Sequence, residues 1–289
     1  MKKTLTLVAM ASALSTNAFA WPDKTITLVV PFPAGGATDA LARTLTPKLQ
    51  EKLKQNVIVD NKAGATGTIG AGFVKRAPAD GYTLLVTSLG PLVIAPYLLA
   101  KVPYEASKDF DYLTVAVQAP NVLVVPASSP YKTMAELIAA EKANPGKLTF
   151  ASAGTGTSDH LSAELFWLQS GTSGLHVPYK GAAPAITDLL GGQVDAAFQN
   201  INNVLPHITA GKLRVLAIAA PKRSPLLPSV PTLTESGVKD ADATSWQGVV
   251  APKGLPPEVK AQIHAALMDA LADPAVKQKF AEVGFEMVA

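Results

Sequence analysis

The sequence predicts an α/β protein of two lobes, whose mainly parallel sheets are joined by a hinge. Short apolar runs that suit strands alternate with amphipathic runs that suit helices, a pattern typical of parallel sheets covered by helices. The pattern restarts after the apolar run at 122–126, which indicates a second lobe. Two connections between the lobes would form a hinge that allows closure over a ligand. One large sheet is the alternative topology.

The predicted elements follow one another in a regular order. In the first half, strands at 26–30, 57–59 and 82–87 flank a helix marked by leucines at spacing four (Leu41, Leu45, Leu49, Leu53) and a glycine-rich turn with a short helix at 64–72. In the second half, we expect helices at 133–143, 158–169 and 184–190 and strands at 148–153, 176–179, 194–199 and 213–219. Thr133 and Glu136 have the spacing of a capping box. A strand at 246–251 and helices at 256–272 and 274–283 close the chain.

These elements divide the chain into lobes that differ in continuity. The first lobe is discontinuous and comprises 21–122 together with 245–289. The second lobe comprises 126–230. Segments 123–125 and 231–244 are the predicted crossovers.

Residues 1–20 have the pattern of a secretory signal peptide. Lys2 and Lys3 precede an apolar run, and Ala18-Phe19-Ala20 is a small-residue cleavage site. The apolar run is shorter than the stretch of about 20 residues that spans a bilayer. We therefore expect cleavage after Ala20 and an exported, soluble protein of the periplasm.

Composition excludes several classes of protein. The chain has no cysteine, which rules out disulfides, thiol catalysis and a lipid-modified N-terminal cysteine. The net charge of +3 includes both lysines of the signal, so no basic face for nucleic acid is expected. We expect a monomer that binds no nucleic acid.

No motif in the sequence supports catalysis. The G-x-S-x-G and G-x-x-x-x-G-K-[ST] patterns are absent, and the four histidines lack metal-ligand spacing. Ser158-Asp159-His160 contains the residue types of a serine triad, but adjacent residues cannot adopt triad geometry. The sequence therefore predicts a binding protein without a metal or a cofactor, and not an enzyme.

Two glycine-rich loops share one design. The loops at 33–39 and 154–160 each follow a predicted strand and precede a predicted helix. Unpaired backbone N–H groups and the helix dipole make such a terminus a site for an anion. Two loops far apart in the chain suggest two lobes that hold one anionic ligand between them.

Residues of the first loop have alternative roles. Gly35, Gly36 and Ala37 let a ligand approach the main chain. Asp39 suits helix capping better than contact with an anion, and Thr38 suits either role. Phe32 fits either an apolar wall of the site or the core.

Residues of the second loop also have alternative roles. Thr155, Thr157 and Ser158 supply hydroxyls that can donate to a carboxylate, although Thr157 and Ser158 equally suit helix capping. Asp159, if it faces the cleft, favours a ligand with a hydrogen-bond donor; the alternative is a solvent-exposed aspartate in the first helical turn. His160 fits either an anion contact or structural packing.

The ends of two predicted strands supply further candidates. Ser88 ends the third strand, and Gln199 and Asn200 follow the run 194–198. Ligands of open parallel sheets bind beyond the carboxyl ends of the strands. We therefore expect Ser88 and Gln199 to contact the ligand.

Seven segments carry a resemblance to a known family: ITLVVPFPAGGATD (26–39), DNKAGATGTIGAG (60–72), DGYTLL (80–85), GTGTSDHLSAELF (154–166), HVPYKGAAP (176–184), GQVDAAF (192–198) and WQGVVAP (246–252). In this order they resemble the Bug-type periplasmic receptors of tripartite tricarboxylate transporters. The resemblance implies a type II periplasmic binding fold. It implies capture of a small organic acid (a di- or tricarboxylate, an aromatic acid or an amino-acid-like compound) for the membrane subunits of a transporter. Presentation of the ligand to a two-component sensor kinase is the alternative.

The resemblance also assigns site residues. It implies that backbone amides and ordered waters of the two loops cradle one carboxylate, at Phe32, Ala34, Gly35, Gly36, Thr38, Thr155, Thr157 and Ser158. Position 159 resembles a variable position that selects the ligand. Relatives usually continue, with a last helix, beyond the segment that matches 284–286, whereas this sequence ends at Ala289. A natural short form and a truncated sequence both remain open.

Overall fold

The computed structural model describes residues 21–289, so the predicted signal peptide at 1–20 lies outside the described residues. Within that range the strands are β1 (Ile26–Val30), β2 (Val57–Asn61), β3 (Thr83–Ser88), β4 (Phe110–Pro126), β5 (Thr149–Ser152), β6 (Leu175–Pro178), β7 (Ala196–Asn200), β8 (Leu213–Ala219), β9 (Thr244–Pro252) and β10 (Glu286–Met287). The α-helices are α1 (Ala37–Leu53), α2 (Thr68–Lys75), α3 (Ala95–Leu98), α4 (Ala106–Asp109), α5 (Met134–Ala143), α6 (Ser158–Ser170), α7 (Ala182–Leu190), α8 (Ile201–Thr209), α9 (Pro257–Ala272) and α10 (Pro274–Val283). A 3₁₀ turn at Ala65–Gly67 precedes α2, and a π-helical turn at Gly90–Ile94 precedes α3.

The strands form two sheets that share β4. The first sheet has the order β2-β1-β3-β9-β4, with β10 also on β4; β1 is parallel to β2 and β3, whereas β9 is antiparallel to its neighbours. The second sheet has the order β4-β7-β5-β6, with β8 also on β4; β5 is parallel to β6 and β7. The α/β architecture predicted from the alternating pattern is therefore present in both halves.

Strand β4 connects the two sheets. Its residues from Phe110 to Pro120 pair with β9, and those from Asn121 to Pro126 pair with β8. Hydrogen bonding is therefore continuous from one sheet to the other, although each sheet has its own set of parallel strands. The change of sheet falls between Pro120 and Asn121, and residues 123–125, predicted as a crossover, pair within the second sheet.

The predicted strand at 122–126 was too short. The observed β4 extends back to Phe110, and residues 110–121 were not predicted as a strand. In this half, β9 pairs along one edge of β4 and β10 pairs with the other edge at Val117 and Gln118, and the side chains of Asp111 and Gln118 are hydrogen-bonded by neighbouring chain. The other predicted strands and helices agree with the structure to within a few residues at each end.

The central strands are buried on both faces, as expected for a sheet covered by helices. Leu28 and Val30 pack in one core that includes residues of α1 and α9, while Val29 packs in another with Val74 and Phe110. The second sheet has a further core around Phe150, with Phe166 at 6.3 Å between ring centroids. These cores fix the strand ends from which the loops of the site project.

Among residues 21–289, no helix combines the length and the apolar character that a membrane span requires.

Candidate functional site

A cleft lies at the carboxyl ends of the parallel strands of both sheets. Phe32 follows β1, Ser88 ends β3, Ala153 follows β5, and Gln199 lies near the end of β7; all four line the cleft. The cleft contains about 490 Å³ of empty space, part of it open to solvent. This is the position at which open α/β sheets bind ligands.

The first glycine loop brings the N-terminus of α1 to the cleft. Gly36 is the N-cap and has no side chain to cap the helix, and Gly36, Ala37 and Thr38 line the cleft. Within residues 21–289 the amides of Ala37 and Thr38 make no hydrogen bond. Free amides and the positive end of the helix dipole therefore meet at this wall of the cleft.

Asp39 stabilises this loop from behind. Its carboxylate accepts hydrogen bonds from the Gly35 amide (3.0 Å), Arg43 Nε (2.8 Å) and Asn61 Nδ2 (3.0 Å). Burial opposes ionisation, but these hydrogen bonds hold the pKa of Asp39 below its usual value. The predicted capping role of Asp39 is therefore wrong: Gly36 occupies the N-cap, α1 has no side-chain cap, and the amide that Asp39 accepts from belongs to Gly35, before the helix. The ion pair with Arg43 fixes the loop, and Asp39 does not line the cleft.

The second glycine loop brings the N-terminus of α6 to the same cleft. Thr157 is the N-cap, but its Oγ1 donates to the Gly154 carbonyl (2.6 Å) and does not cap the helix. Thr157 and Ser158 line the cleft, and the Ser158 amide has no partner within the described part of the chain. The N-termini of α1 and α6, which follow strands of different sheets, therefore meet at the same cleft.

Asp159 lines the cleft and is buried, with 5% of its surface exposed. The alternative of a solvent-exposed aspartate is therefore wrong. Its Oδ2 accepts from the Ala153 amide (2.5 Å) and from Gln199 Nε2 (3.3 Å). Burial raises the pKa of the Asp159 carboxyl group, and the bond from Ala153 opposes that shift.

His160 has a structural environment. Its Nδ1 accepts from the Gly156 amide (3.0 Å), its Nε2 lies 3.3 Å from Glu164, and its ring stacks on His176 at 4.0 Å between centroids. Burial, with a contribution from His160, lowers the pKa of His176 to about 4. The neutral His176 ring lies 2.6 Å from Ser152 Oγ, which accepts from the Gly154 amide, so the two rings support the second loop.

The structure brings together most of the predicted site residues. Those that line the cleft are Phe32, Gly36, Thr38, Ser88, Thr157, Ser158, Asp159 and Gln199. Ala34 and Gly35 are exposed and do not line it, since the chain turns away before α1 begins. Thr155 lines an adjoining pocket with about 520 Å³ of empty space, part of it open to solvent, and its carbonyl accepts from Thr66 Oγ1 at 2.6 Å.

Several polar residues of the cleft were absent from the prediction. Asn203 lies on α8, and Ser245 and Gln247 lie on β9; all three line the cleft. The alternation of Ser245 and Gln247 along a strand places both on one face and was an available signal. Their proximity to the glycine loops depends on β9 pairing with β3, where Gln247 is opposite Ser88.

The cleft is polar but poor in charge. Among the described residues that line it, Asp159 is the one ionisable side chain; the others that are polar supply hydroxyls and amides. Within residues 21–289, no three His, Asp or Glu side chains are grouped as they would be around a metal ion. The site thus offers amide donors at two helix ends and neutral hydrogen-bonding groups elsewhere.

Comparisons with known proteins agree on one family. A family model described as "Tripartite tricarboxylate transporter family receptor" matches residues 41–289. The structure is similar to that of the periplasmic binding protein BugD (37% identity, TM-score 0.89), with 93% of this chain and 89% of that chain covered.

Two similar solved structures have ligands in their descriptions. One is R. palustris Rpa4515 with adipate, at 36% identity and a TM-score of 0.90, covering 92% of this chain and 89% of that one. The other is MatC from Rhodopseudomonas palustris with bound malate, at 34% identity and a TM-score of 0.87, covering 92% of this chain and 90% of that one. These similarities confirm the expected type II periplasmic binding fold. The chain belongs to the receptor family of the tripartite tricarboxylate transporters, which includes the Bug proteins.

Proposed function

We propose that this protein captures a small organic carboxylate in the cleft and delivers it to the membrane subunits of a tripartite tricarboxylate transporter. The observation that supports this most directly is the convergence of the N-termini of α1 and α6, with free amides at Ala37, Thr38 and Ser158. A carboxylate accepts such hydrogen bonds and is stabilised by both helix dipoles. Family membership favours transport over presentation to a sensor kinase.

The character of the cleft supports a small acid. The adipate of Rpa4515 and the malate of MatC are both dicarboxylates. Neutral N–H and O–H donors can bind a carboxylate without a cationic side chain, because a hydrogen bond to an ionised acceptor is stronger than one between two neutral groups. We propose that Phe32, Gly36, Thr38, Ser88, Thr157, Ser158, Asp159 and Gln199 form the binding surface, with one carboxylate between the two loops.

We further propose that binding closes two lobes about β4 and β9. Contacts across the cleft support a closed form: Thr66 Oγ1 donates to the Thr155 carbonyl, and a Cβ at Gly90 would lie 3.3 Å from the Gly156 carbonyl oxygen. The lobes would be 21–122 with 245–289, and 126–230. A hinge in the connections between two sheets is a common route to ligand enclosure.

A receptor rather than an enzyme fits the geometry at Ser158-Asp159-His160. His160 Nδ1 is occupied by the Gly156 amide, and its other nitrogen faces Glu164. Among residues 21–289, no base is therefore hydrogen-bonded to the Ser158 hydroxyl, as a triad requires. Family membership supports a periplasmic protein. We propose that a signal peptide directs its export and is cleaved after Ala20, and that the mature protein acts as a monomer.

The proposal is tested by screening the mature protein against organic acids, sugars and cations with thermal shift. We expect one or more acids to raise the melting temperature, because a ligand that binds the native state stabilises it by mass action. Stabilisation by a sugar or a cation, with none by any acid, would contradict carboxylate capture.

A variant that removes one amide tests the cradle directly. Ala37 is the first residue of α1, and Gly36 before it has extended backbone (φ −88°, ψ 174°), so Ala37→Pro deletes the N–H where proline suits a helix. We expect the Kd of the best acid, measured by calorimetry, to rise about 10- to 100-fold, the value of one charge-assisted hydrogen bond. Ala37→Ser keeps the N–H and is the control. Equal affinities in the two variants would refute the role of this amide.

A further inference from the structure

Gln247 has a buried acceptor without a partner. The residue lines the cleft and is 1% exposed, and its Oε1 finds no hydrogen-bond donor among residues 21–289. Its Nε2 donates to Ser245 Oγ at 3.0 Å, which orients the amide. Buried polar groups of native proteins nearly always have a partner, so this exception requires an explanation.

The backbone around Gln247 is rigid. Strand β9 is paired on one side with β3 and on the other with β4, and Gln247 lies opposite Ser88 and Val117. At the next residue, a Cβ on Gly248 would lie 2.5 Å from the Thr114 carbonyl oxygen, so the strands approach closely. The strand is therefore held on both edges, and a shift that would bring Oε1 a donor from the protein would disrupt this pairing.

The surroundings favour a donor supplied by the ligand. Asp159, on another wall of the same cleft, also presents carboxylate oxygens, which are hydrogen-bond acceptors when ionised. The free amides at the helix ends are donors and suit the carboxylate. Acceptors on one part of the cleft and donors on another match a molecule that has both kinds of group.

We propose that Gln247 Oε1 accepts a hydrogen bond from a hydroxyl or amino group of the ligand, so that the cleft selects a substituted acid over the plain acid of the same length. The inference rests on the proposed carboxylate capture and specifies its substrate class. Gln247 then acts as a specificity-determining residue.

The test compares acids that differ by one donor. Calorimetry measures the Kd of succinate against both enantiomers of malate and against aspartate, and of glutarate against both enantiomers of 2-hydroxyglutarate. We expect the best substituted acid of at least one pair to bind about tenfold more tightly than its plain partner, the value of a typical neutral hydrogen bond.

Variants of Gln247 test whether this residue causes the preference for substituted acids. Gln247→Leu removes both polar ends, and we expect the ratio of affinities to fall towards one; Gln247→Met gives the same readout if leucine disturbs the packing. Gln247→Glu keeps two acceptor oxygens and should keep the preference even if its charge weakens both acids. Gln118→Leu, which makes the same change outside the cleft, should leave the ratio as in the wild type.

The outcomes distinguish a failure of the role of Gln247 from a failure of carboxylate capture. If plain acids bind at least as well as substituted acids in the wild type, or if Gln247→Leu and Gln247→Met keep the wild-type ratio, the inference is overturned while carboxylate capture stands. If no acid of either kind binds, carboxylate capture itself fails.

Discussion

A methyl group added at Gly181 should hold the cleft open. Gly181 precedes α7 with φ +125° and ψ 170°, and a Cβ there would lie 2.7 Å from Cδ and 2.8 Å from Cγ of Pro33. Pro33 belongs to the first glycine loop, and Gly181 belongs to the half of the chain that contains the second glycine loop. Since carbon atoms prefer separations of about 3.5–4.0 Å, the two halves must part by about 1 Å.

The expected effect on affinity follows from that displacement. A hydrogen bond of about 2.9 Å between the ligand and one loop would lengthen to about 3.9 Å, beyond the hydrogen-bonding range. The loss of one charge-assisted bond corresponds to about 1.5–3 kcal/mol, so the Kd of the best acid should rise about 10- to 100-fold in Gly181→Ala. Calorimetry with the acid found by thermal shift provides the measurement.

A control separates the collision from backbone strain. Gly237 has φ +91°, but no atom lies within 4 Å of the place that a Cβ would occupy there, so Gly237→Ala adds strain without a contact. Both variants should lose about 1–3 kcal/mol of unfolding free energy, whereas only Gly181→Ala should lose affinity. If the two variants bind the acid equally well, the reasoning about contact between the loops is wrong.

Three further predictions concern single side chains. Thr66→Val removes the hydrogen bond to the Thr155 carbonyl, so the Kd of the acid measured by calorimetry should rise about 2- to 10-fold while the unfolding midpoint stays nearly unchanged. A wild-type Kd would show that this hydrogen bond does not favour closure. Because the pKa of His176 is lowered to about 4 in the folded state, the unfolded state binds a proton first as the pH falls, so the stability from this residue is present above about pH 6.5 and is lost as the pH drops towards 4. The unfolding free energy of the wild type, measured with urea, should fall over this range by about 2 kcal/mol more than that of His176→Gln, and parallel pH profiles would contradict the assignment. Asp159→Ala leaves the donor of Gln199 and a backbone amide unpaired, so urea unfolding should show a loss of about 2–4 kcal/mol, and an unchanged ranking of acids would show that the residue has only a structural role.

The parts of the fold that depend on local pattern were predictable. The leucine repeat predicted α1, and the capping box at Thr133 and Glu136 is present with both of its hydrogen bonds. Strand β1 was predicted with its observed bounds because four of its five residues are apolar and β-branched residues are frequent in it. These signals lie within a short stretch of chain, where periodicity and capping are determined by neighbouring residues.

The first half of β4 was not predictable in the same way. Residues from Phe110 to Pro120 mix polar and apolar side chains and contain two irregularities in their register with β9. They are extended because strands distant in sequence pair with them. Their strand character thus depends on partners that a local pattern does not contain.

The candidate site also combines features that a local sequence pattern predicts with features that depend on pairing between distant strands. The two glycine loops were recognisable because a strand, a glycine run and a helix follow one another along the chain. Ser245 and Gln247 were missed because their strand lies far from both loops in the sequence and reaches the cleft through its pairing with β3. The orientation of Asp159 was also open, since only burial against Ala153 and Gln199 distinguishes it from an exposed residue.

Residue types and their spacing were enough to predict the α/β class and the two glycine-rich loops that each join a strand to a helix, and seven segments carried the family resemblance. Each of these depends on patterns within short stretches of chain, some of them repeated along the sequence. Three features became known from the folded chain alone: α1 and α6 begin at the same cleft, β4 belongs to both sheets, and Gln247 is buried there without a donor. The physical reason is that these features arise from strand pairing and packing between residues distant in the sequence, as between Ser88 and Gln247, and such long-range contacts leave no periodic trace in the sequence.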